Sequence, residues 1–160
     1  MSPSPAAPLP TVRPLAAADL EAVVDLDRRT VGRSRRGFYE KRLAALAREP
    51  QAFIALALDR AEGGLAGFVF ARLLHGEFGG TEPVAVLDAL GVDPDQRHQG
   101  TGRRLMAGLE AEMRQRDVRE MSTEALWTEP DLLRFFAANG FSLAPRLVVE
   151  RSTEQQQSLF

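Results

Sequence analysis

One turn between an apolar stretch and an amphipathic stretch limits the fold of this chain more than any other feature. Residues 84–92 are apolar and rich in valine, and the Asp-Pro pair that follows disfavours helix, so a strand should end near Val92. Apolar residues then recur at steps of three and four, which predicts a helix that begins near Gly100 and buries Leu105, Met106, Leu109 and Met113. The turn between them therefore joins a strand end directly to a helix start.

This turn, Arg-His-Gln-Gly-Thr-Gly at residues 97–102, has the chemistry of a phosphate site. Its two glycines let the backbone approach a ligand closely, and the first N–H groups of the helix point toward it. The helix dipole favours an anion there, and Arg97, Arg103 and Arg104 add positive charge. The nucleotide triphosphate loop is excluded because no Lys followed by Ser or Thr comes after the second glycine. The dinucleotide loop is excluded because Leu105 stands where it needs a third glycine or alanine.

The remaining pattern, Arg-x-x-Gly-x-Gly, resembles the GNAT superfamily of acetyl-CoA-dependent N-acetyltransferases. Leu-Gly-Val-Asp-Pro precedes it at residues 90–94, and Phe-Phe-Ala-Ala-Asn-Gly-Phe follows at residues 135–141. The resemblance implies direct transfer of the acetyl group from acetyl-CoA to a primary amine in a ternary complex. It implies that Leu90, Gly91 and Val92 hold the pantetheine arm, with a backbone N–H near Leu90 stabilising the oxyanion. It places the pyrophosphate on Arg97, His98, Gln99, Gly100, Thr101, Gly102 and Arg103.

The order of elements, read from capping and periodicity, is β-α-α-β-β-β-α-β-α-β, which is also the order in the resembled family. For the helices, the sequence predicts caps at Asp19 and Ser34, a capping box of Thr128 and Asp131, and a left-handed helix end at Asn139-Gly140. For the strands, it predicts a hairpin over residues 51–58 and 65–74, a fifth strand over 118–126 and a last strand over Leu143–Glu150. We expect an α/β (α+β) fold with a mixed, mostly antiparallel sheet and helices on both faces. The resemblance adds that strands 4 and 5 splay apart around coenzyme A.

Length and composition narrow the class of protein. The chain has 160 residues, 44% of them hydrophobic, which suits a single domain over residues 11–150 between a proline-rich leader (1–10) and a flexible tail (151–160). The net charge of -2 gives no field that would attract nucleic acid or an anionic membrane. There is no cysteine and there are only two histidines, so we expect neither a thiolate nucleophile nor a metal site. With no secretory signal and no membrane-spanning run, we expect a cytoplasmic monomer or homodimer.

Two carboxylates are the catalytic candidates. Asp88 interrupts the apolar strand, and alternation places it on the face of Val86, Leu90 and Val92 unless a bulge intervenes. It is either the base that accepts the amine proton or a structural carboxylate bonded to a neighbouring backbone group or arginine. Glu124, on the fifth strand, is either a second candidate base or a residue that is structural or positions the acceptor.

The proton donor is where the chain departs from the resembled family. Many members carry a tyrosine four residues before the glycine of the Gly-Phe pair, close to the cofactor, and here that place is Phe136. The only tyrosine is Tyr39, which could approach the thiolate only if the second helix overhangs the splayed strands. Trp127 is expected to pack in the core more readily than to wall the acceptor pocket.

The acceptor and the activity keep alternatives open. Residues 28–42 contain seven basic residues against Glu40 alone, which would suit an anionic acceptor or partner, or would simply be a solvated face. The missing phenol favours a non-catalytic acyl-CoA-binding sensor or interaction module as the alternative to an enzyme. A third interpretation is a different acyl donor, such as succinyl-CoA, whose carboxylate would meet the arginines.

Overall fold

Five strands form the central sheet of the computed structural model, which describes residues 10–154. The strands β1 to β4 are neighbours in chain order and pair antiparallel: Val12–Pro14, Phe53–Asp59, Leu65–His75 and Pro83–Val92. The fifth strand, β5 (Glu120–Ser122), lies beside β4 in parallel. The mixed, mostly antiparallel sheet predicted from the sequence is confirmed.

Helices cover both faces of this sheet, as predicted. On one face lie α1 (Leu20–Val31) and α2 (Arg36–Arg48), whose buried side chains form one apolar cluster with the sheet: Val23, Val24, Leu26, Tyr39, Leu43, Ala55, Ala57, Phe68, Phe70 and Ala89. On the other face lies α3 (Thr101–Gln115), which buries the residues expected from its period, Leu105, Met106, Leu109 and Met113. The turn of residues 97–100 therefore connects the end of β4 to α3.

A bulge in β4 changes which side chains share a face. Phe70 of β3 pairs with Ala89, but the next residue of β3, Ala71, pairs with Leu87, so Asp88 has no partner in the register. Residues on the two sides of the bulge therefore alternate out of step. Asp88 lies on the α2 face, with Val86, whereas Leu90 and Val92 lie on the α3 face. The prediction that all four share a face is wrong for those last two residues, because of this bulge.

Both predicted helix caps on the α1 and α2 side are wrong in detail. Asp19 precedes α1 but makes no capping hydrogen bond; its carboxylate instead accepts from the Arg13 guanidinium and from the Ala16 N–H, each at 2.8 Å. Ser34 lies two residues before α2, and Arg35 occupies the cap position. A nearby guanidinium competes with the helix N–H groups for the Asp19 carboxylate, and sequence spacing does not reveal that competition.

The described residues divide into two compact units, the first ending at Leu126 and the second starting at Trp127. Within the second unit, α4 (Pro130–Ala138) ends at a left-handed Gly140 with φ +86°, as predicted. The capping box is wrong, because Asp131 pairs with Arg134, and Glu129 occupies the cap position and makes no capping hydrogen bond with its side chain. The extent of a single domain over residues 11–150 stays a prediction.

The strand predicted over Leu143–Glu150 is absent from the described residues. This segment has no regular secondary structure, and its large apolar side chains are 68–96% exposed: Leu143, Leu147, Val148 and Val149. An apolar sequence predicts a strand only when a neighbouring strand is available to pair with it, and Pro145 additionally removes a ladder donor. Within residues 10–154, no helix has the length and apolar character needed to cross a membrane.

Candidate functional site

The turn predicted to bind phosphate is a loop with two left-handed residues. His98 has φ +64° and Gly100 has φ +79°, and Gly100 is the residue from which α3 starts. A left-handed conformation costs a residue other than glycine about 1–2 kcal/mol, and such conformations recur in loops that turn backbone N–H groups toward an anion. Arg97, His98, Gln99 and Gly100 are exposed, whereas Thr101 and Gly102 are buried at the start of the helix.

The backbone donors of this loop are free. Within the part of the chain that the structure describes, no protein acceptor receives a hydrogen bond from the N–H groups of residues 97–103, and the first bonded amide is that of Arg104, to the Gly100 carbonyl at 2.9 Å. Arg97 and Arg103 are exposed, and neither has an ionic partner among the described residues. The Arg104 side chain, by contrast, donates to the Pro10 carbonyl. Of the three predicted cationic side chains, two therefore remain available beside the loop.

Asp93 anchors the turn between β4 and this loop, a role that the sequence analysis missed. Its side chain is fully buried, accepts the Asp95 N–H at 2.9 Å, and faces Arg60 at 3.1 Å and Arg29 at 3.4 Å. Burial alone would raise the pKa of Asp93, but the Asp95 N–H and the two guanidiniums together lower it below its usual value. The Asp-Pro-Asp sequence signals the local hydrogen bond, but nothing in it signals arginines 33 and 64 residues away.

Gly91 is required by close packing on β4. A Cβ at this position would lie 2.4 Å from Phe68 Cε1 and 2.9 Å from Leu26 Cδ2, so any side chain would displace the core of the α1 face. Its neighbours Leu90 and Val92 are half-buried on the opposite face. The three residues predicted to hold the pantetheine arm thus form a rigid strand end.

The strands β4 and β5 separate toward this end. Their pairing is limited to Val84–Val86 against Glu120–Ser122, and β4 continues to Val92 without β5 beside it. The segment predicted as strand up to residue 126 leaves the sheet after Ser122, where the Thr123 hydroxyl donates to the Leu87 carbonyl at 3.1 Å. The expected splay is confirmed, and it leaves one edge of β4 open next to the free N–H groups of the loop.

Asp88 is held by two arginines from different elements. The Nε of Arg42, on α2, donates to Asp88 Oδ2, and the Nε of Arg72, on β3, lies 3.4 Å from the same oxygen. The Asp88 side chain is 14% exposed. Asp88 is therefore a carboxylate bonded to neighbouring arginines, as one of the two alternatives predicted. Its role as a base stays a prediction.

The other catalytic candidate, Glu124, lies in the segment after β5, which has no regular secondary structure. It is exposed and has no ionic partner among the described residues, and the contact of Thr123 with Leu87 ties this segment to the strand that carries Asp88. Trp127 is 86% exposed, so the expectation that it packs in the core is wrong.

Tyr39 is committed to the core. Its hydroxyl donates to Asp27 Oδ1 at 2.8 Å, and its ring makes edge contacts with Phe38 and Phe68. Burial, together with the Asp27 carboxylate, raises the pKa of the Tyr39 phenol. Tyr39 is therefore poorly suited to give a proton to a departing thiolate. Phe136, described within the second unit, is buried with its ring centroid 5.0 Å from that of Phe141.

The basic stretch over residues 28–42 is mostly neutralised by ion pairs. Its arginines meet carboxylates in five cases: Arg28 with Asp25, Arg29 with Asp25 and Asp93, Arg35 with Asp27, Arg36 with Glu21 and Glu40, and Arg42 with Asp88. Only Arg33 and Lys41 have no ionic partner within residues 10–154. The stretch as a whole is thus not a free cationic surface, and any preference for anions must come from particular side chains within it.

Two surface hollows lie away from this arrangement. The larger, about 570 Å³, adjoins the first residue of β4 and is lined by side chains that include His75, Pro83 and Arg116. Neither hollow contains a predicted site residue. Among the described residues, no cluster of three or more His, Asp or Glu side chains is arranged to hold a metal ion.

Comparison with known proteins gives one family. The model of the acetyltransferase (GNAT) family matches residues 20–141. The chain is 32% identical over 105 residues to aminoglycoside N(6')-acetyltransferase type 1 of Stenotrophomonas maltophilia, a match that covers 64% of this chain and 67% of that protein.

Solved structures resemble the fold at low sequence identity. Apo aminoglycoside 6'-N-acetyltransferase AAC(6')-IG from Acinetobacter haemolyticus superposes with a TM-score of 0.74 at 17% identity, covering 91% of this chain and 99% of that one. Ribosomal-protein-alanine N-acetyltransferase from Brucella melitensis biovar Abortus 2308 gives 0.68 at 20% identity, covering 88% and 99%. AAC(6')-Iy in complex with CoA gives 0.71 at 20% identity, covering 94% and 99%. Neighbours named for different acceptors share this fold, so the fold alone does not identify the acceptor.

Proposed function

This chain belongs to the GNAT acetyltransferase family, and on that premise we propose that it transfers the acetyl group of acetyl-CoA directly to a primary amine within a ternary complex. One observation carries the proposal: the free N–H groups of residues 97–103 lie at the end of a strand whose edge is open. That pairing of features suits a ligand with a phosphate group at one end and an extended amide-containing arm at the other.

The residues of this end fit coenzyme A on their own chemistry. The N–H groups of the loop and the exposed Arg97 and Arg103 would neutralise the pyrophosphate. The open edge of β4 over Leu90–Val92 would pair with the amides of the pantetheine arm. When bound, acetyl-CoA supplies the activated acetyl group. An N–H near Leu90 would then stabilise negative charge on the acetyl oxygen, and a preorganised donor of this kind contributes roughly 10²–10³ in rate.

Proton transfer is assigned to side chains that are free to perform it. We propose Glu124 as the group that accepts the proton of the attacking amine, because it is exposed and unpaired among the described residues. Asp88 is less available for this role, because its carboxylate already forms ion pairs with Arg42 and Arg72. With no cysteine in the chain, no enzyme thiol is available to carry the acetyl group, which supports direct attack.

Initial-rate kinetics test the ternary complex. Acetyl-CoA and an accepted amine are varied together while thiol release is followed. Direct transfer gives intersecting double-reciprocal lines, and parallel lines would instead indicate a covalent acetyl-enzyme.

The alternative, a non-catalytic acyl-CoA sensor, has Phe136 in its favour, because the resemblance places a proton donor there in many members. Asp88→Asn and Glu124→Gln separate the two functions. An enzyme loses turnover in Glu124→Gln while its affinity for acetyl-CoA stays the same. A sensor binds acetyl-CoA but has no turnover for either substitution to reduce.

A further inference from the structure

The pair of arginines around Asp88 has donors that the protein does not use. Both guanidiniums reach Asp88 Oδ2 through Nε, and their Nη groups have no hydrogen-bond acceptor among the described residues. The Nε of Arg72 is itself buried without a hydrogen-bond partner, and it is the only such side-chain nitrogen or oxygen within residues 10–154. A buried unsatisfied donor in a folded protein calls for an explanation, and a ligand is one.

The two side chains are also held in place before any ligand arrives. The Arg42 guanidinium lies over the Phe38 ring, 4.6 Å from its centroid, and its side chain is 28% exposed. Arg72 projects from β3, at the register position opposite Val86, and its side chain is 36% exposed. Two cations against one carboxylate leave a net positive charge that is partly buried and partly open to solvent. Partly buried guanidiniums with free Nη donors bind a planar oxyanion best.

From this geometry we infer that the acceptor amine carries an oxyanion, most directly a carboxylate, which Arg42 and Arg72 bind. The inference rests on the proposed function. Asp88 lies two residues before Leu90, so the carboxylate that both arginines contact projects from the strand about 7 Å from the proposed acetyl-binding N–H, given a rise of about 3.3 Å per residue. That separation fits a small amine whose anionic group lies a few bonds from its nitrogen.

The same cluster disfavours a polycation. An aminoglycoside, the acceptor named for several similar proteins, would bring ammonium groups toward two guanidiniums whose single carboxylate is already shared. Repulsion between the ammonium groups and the guanidiniums opposes binding, and such repulsion selects between acceptors as effectively as attraction does. The inferred acceptor class therefore differs from the one that the relatives' names would transfer to this chain.

Calorimetric titration of small amines into the protein saturated with coenzyme A tests the inferred oxyanion preference without requiring turnover. The probes are matched pairs: L-lysine against cadaverine, which lacks only the carboxylate, and O-phosphoethanolamine against ethanolamine, which lacks only the phosphate. Sisomicin serves as the polycation. We expect L-lysine to bind at least tenfold more tightly than cadaverine, and the phosphate pair tells whether any oxyanion suffices.

Three variants show whether the arginines cause the preference. In Arg42→Gln/Arg72→Gln the tenfold preference should fall below threefold. In Arg114→Gln, which removes one exposed arginine from α3, it should persist. Asp88→Asn should strengthen L-lysine binding at least threefold, because the competing carboxylate is gone. A purely structural role for Asp88 predicts no such gain, and a thermal melt of each variant confirms that it is folded.

The outcomes separate the two proposals. Four results would each overturn the inference. They are equal affinity for the members of both pairs, tightest binding of sisomicin, a preference for L-lysine that survives in the double variant, and no binding of any probe at millimolar concentration. All of these leave acetyl-CoA binding intact. Failure to bind acetyl-CoA itself would instead overturn the proposed function.

Discussion

The proposed cofactor end and the proposed acceptor face of the site are built in opposite ways. At the cofactor end, consecutive residues from 97 to 103 offer backbone N–H groups, with the exposed Arg97 and Arg103 in the same segment. At the acceptor face, Arg42, Arg72 and Asp88 come from α2, β3 and β4, and the carboxylate is 46 residues from its partner on α2. The contrast teaches that one half of the site depends on backbone conformation and the other half on side-chain charge. Substitutions should therefore separate the two halves.

The largest expected effect concerns chemistry on the acceptor side alone. Glu124→Gln removes the proposed proton acceptor while keeping the shape of the side chain, so kcat should fall roughly 10²–10⁴-fold. The dissociation constant of acetyl-CoA should change less than twofold, because Glu124 belongs to neither the loop nor β4. Steady-state kinetics and calorimetry on the same preparation check both values. A weakened acetyl-CoA complex with unchanged kcat would place Glu124 at the cofactor end instead.

Asp93→Asn tests whether a buried charge supports the backbone of the cofactor end. The substitution keeps the hydrogen bond from the Asp95 N–H but removes the buried carboxylate from Arg29 and Arg60, which retain only Asp25 and Glu62 as ionic partners among the described residues. We expect a loss of roughly 1.5–3 kcal/mol in the free energy of unfolding, measured by urea denaturation, and weaker acetyl-CoA binding. Asp95→Asn, at an exposed neighbouring position, is the control and should change neither quantity appreciably.

The pH dependence of this stabilisation has a definite sign. The pKa of Asp93 is lower in the folded protein than in the unfolded chain, where it is about 3.9. The native protein therefore gains stability from the ionised carboxylate above about pH 4, and loses it as the pH falls through the folded pKa. Below pH 4 the unfolding free energy of the unmodified protein should drop more steeply than that of Asp93→Asn. Parallel profiles would mean that Asp93 contributes no charge-dependent stability.

Phe136→Tyr tests whether the absence of a phenol at this position limits the reaction. The substitution restores the phenol that many members of the family carry at the corresponding place. We expect kcat to rise by about tenfold, less than the roughly 10²–10⁴ typical of general acid catalysis, because the new hydroxyl disturbs the packing. A hydroxyl beside Phe141 should cost about 1 kcal/mol or more in stability if it stays unbonded. Stability loss without any gain in kcat would show that this position does not reach the thiolate.

Tyr39→Phe should give the smallest effect and tests whether Tyr39 lies outside the acceptor face. It removes the buried hydrogen bond that the hydroxyl donates to Asp27 and the longer one, 3.3 Å, that it accepts from Arg35, so the free energy of unfolding should fall by about 1–2 kcal/mol. Because the phenol is directed into the core, kcat should remain within twofold of its original value. A fall in kcat of tenfold or more would make Tyr39 the missing proton donor.

The two halves also differ in how far the sequence predicts them. The loop, the end of β4 and the first turn of α3 follow from local patterns, since glycine positions, apolar periods and the Asp-Pro break act over a few residues. The ion pairs of Asp88 and Asp93 join residues 16–64 positions apart, so no spacing rule indicates them. The bulge at Asp88 is hidden for the same reason, because the register of β4 is fixed by packing against β3. The prediction for Leu143–Glu150 failed for the opposite reason. The local sequence pattern is typical of a strand, but no strand among the described residues pairs with it.

Calorimetric titration of acetyl-CoA into the unmodified protein and three variants tests the division of the site most directly. Gly100→Glu places a carboxylate among the free N–H groups, and Gly100→Gln carries the same left-handed strain without the charge, with open space for either side chain. We predict at least a 100-fold loss of affinity in the first, tenfold or less in the second, and less than twofold in Arg42→Gln. If the Arg42 variant loses acetyl-CoA while Gly100→Glu keeps it, the assignment of the two halves is wrong.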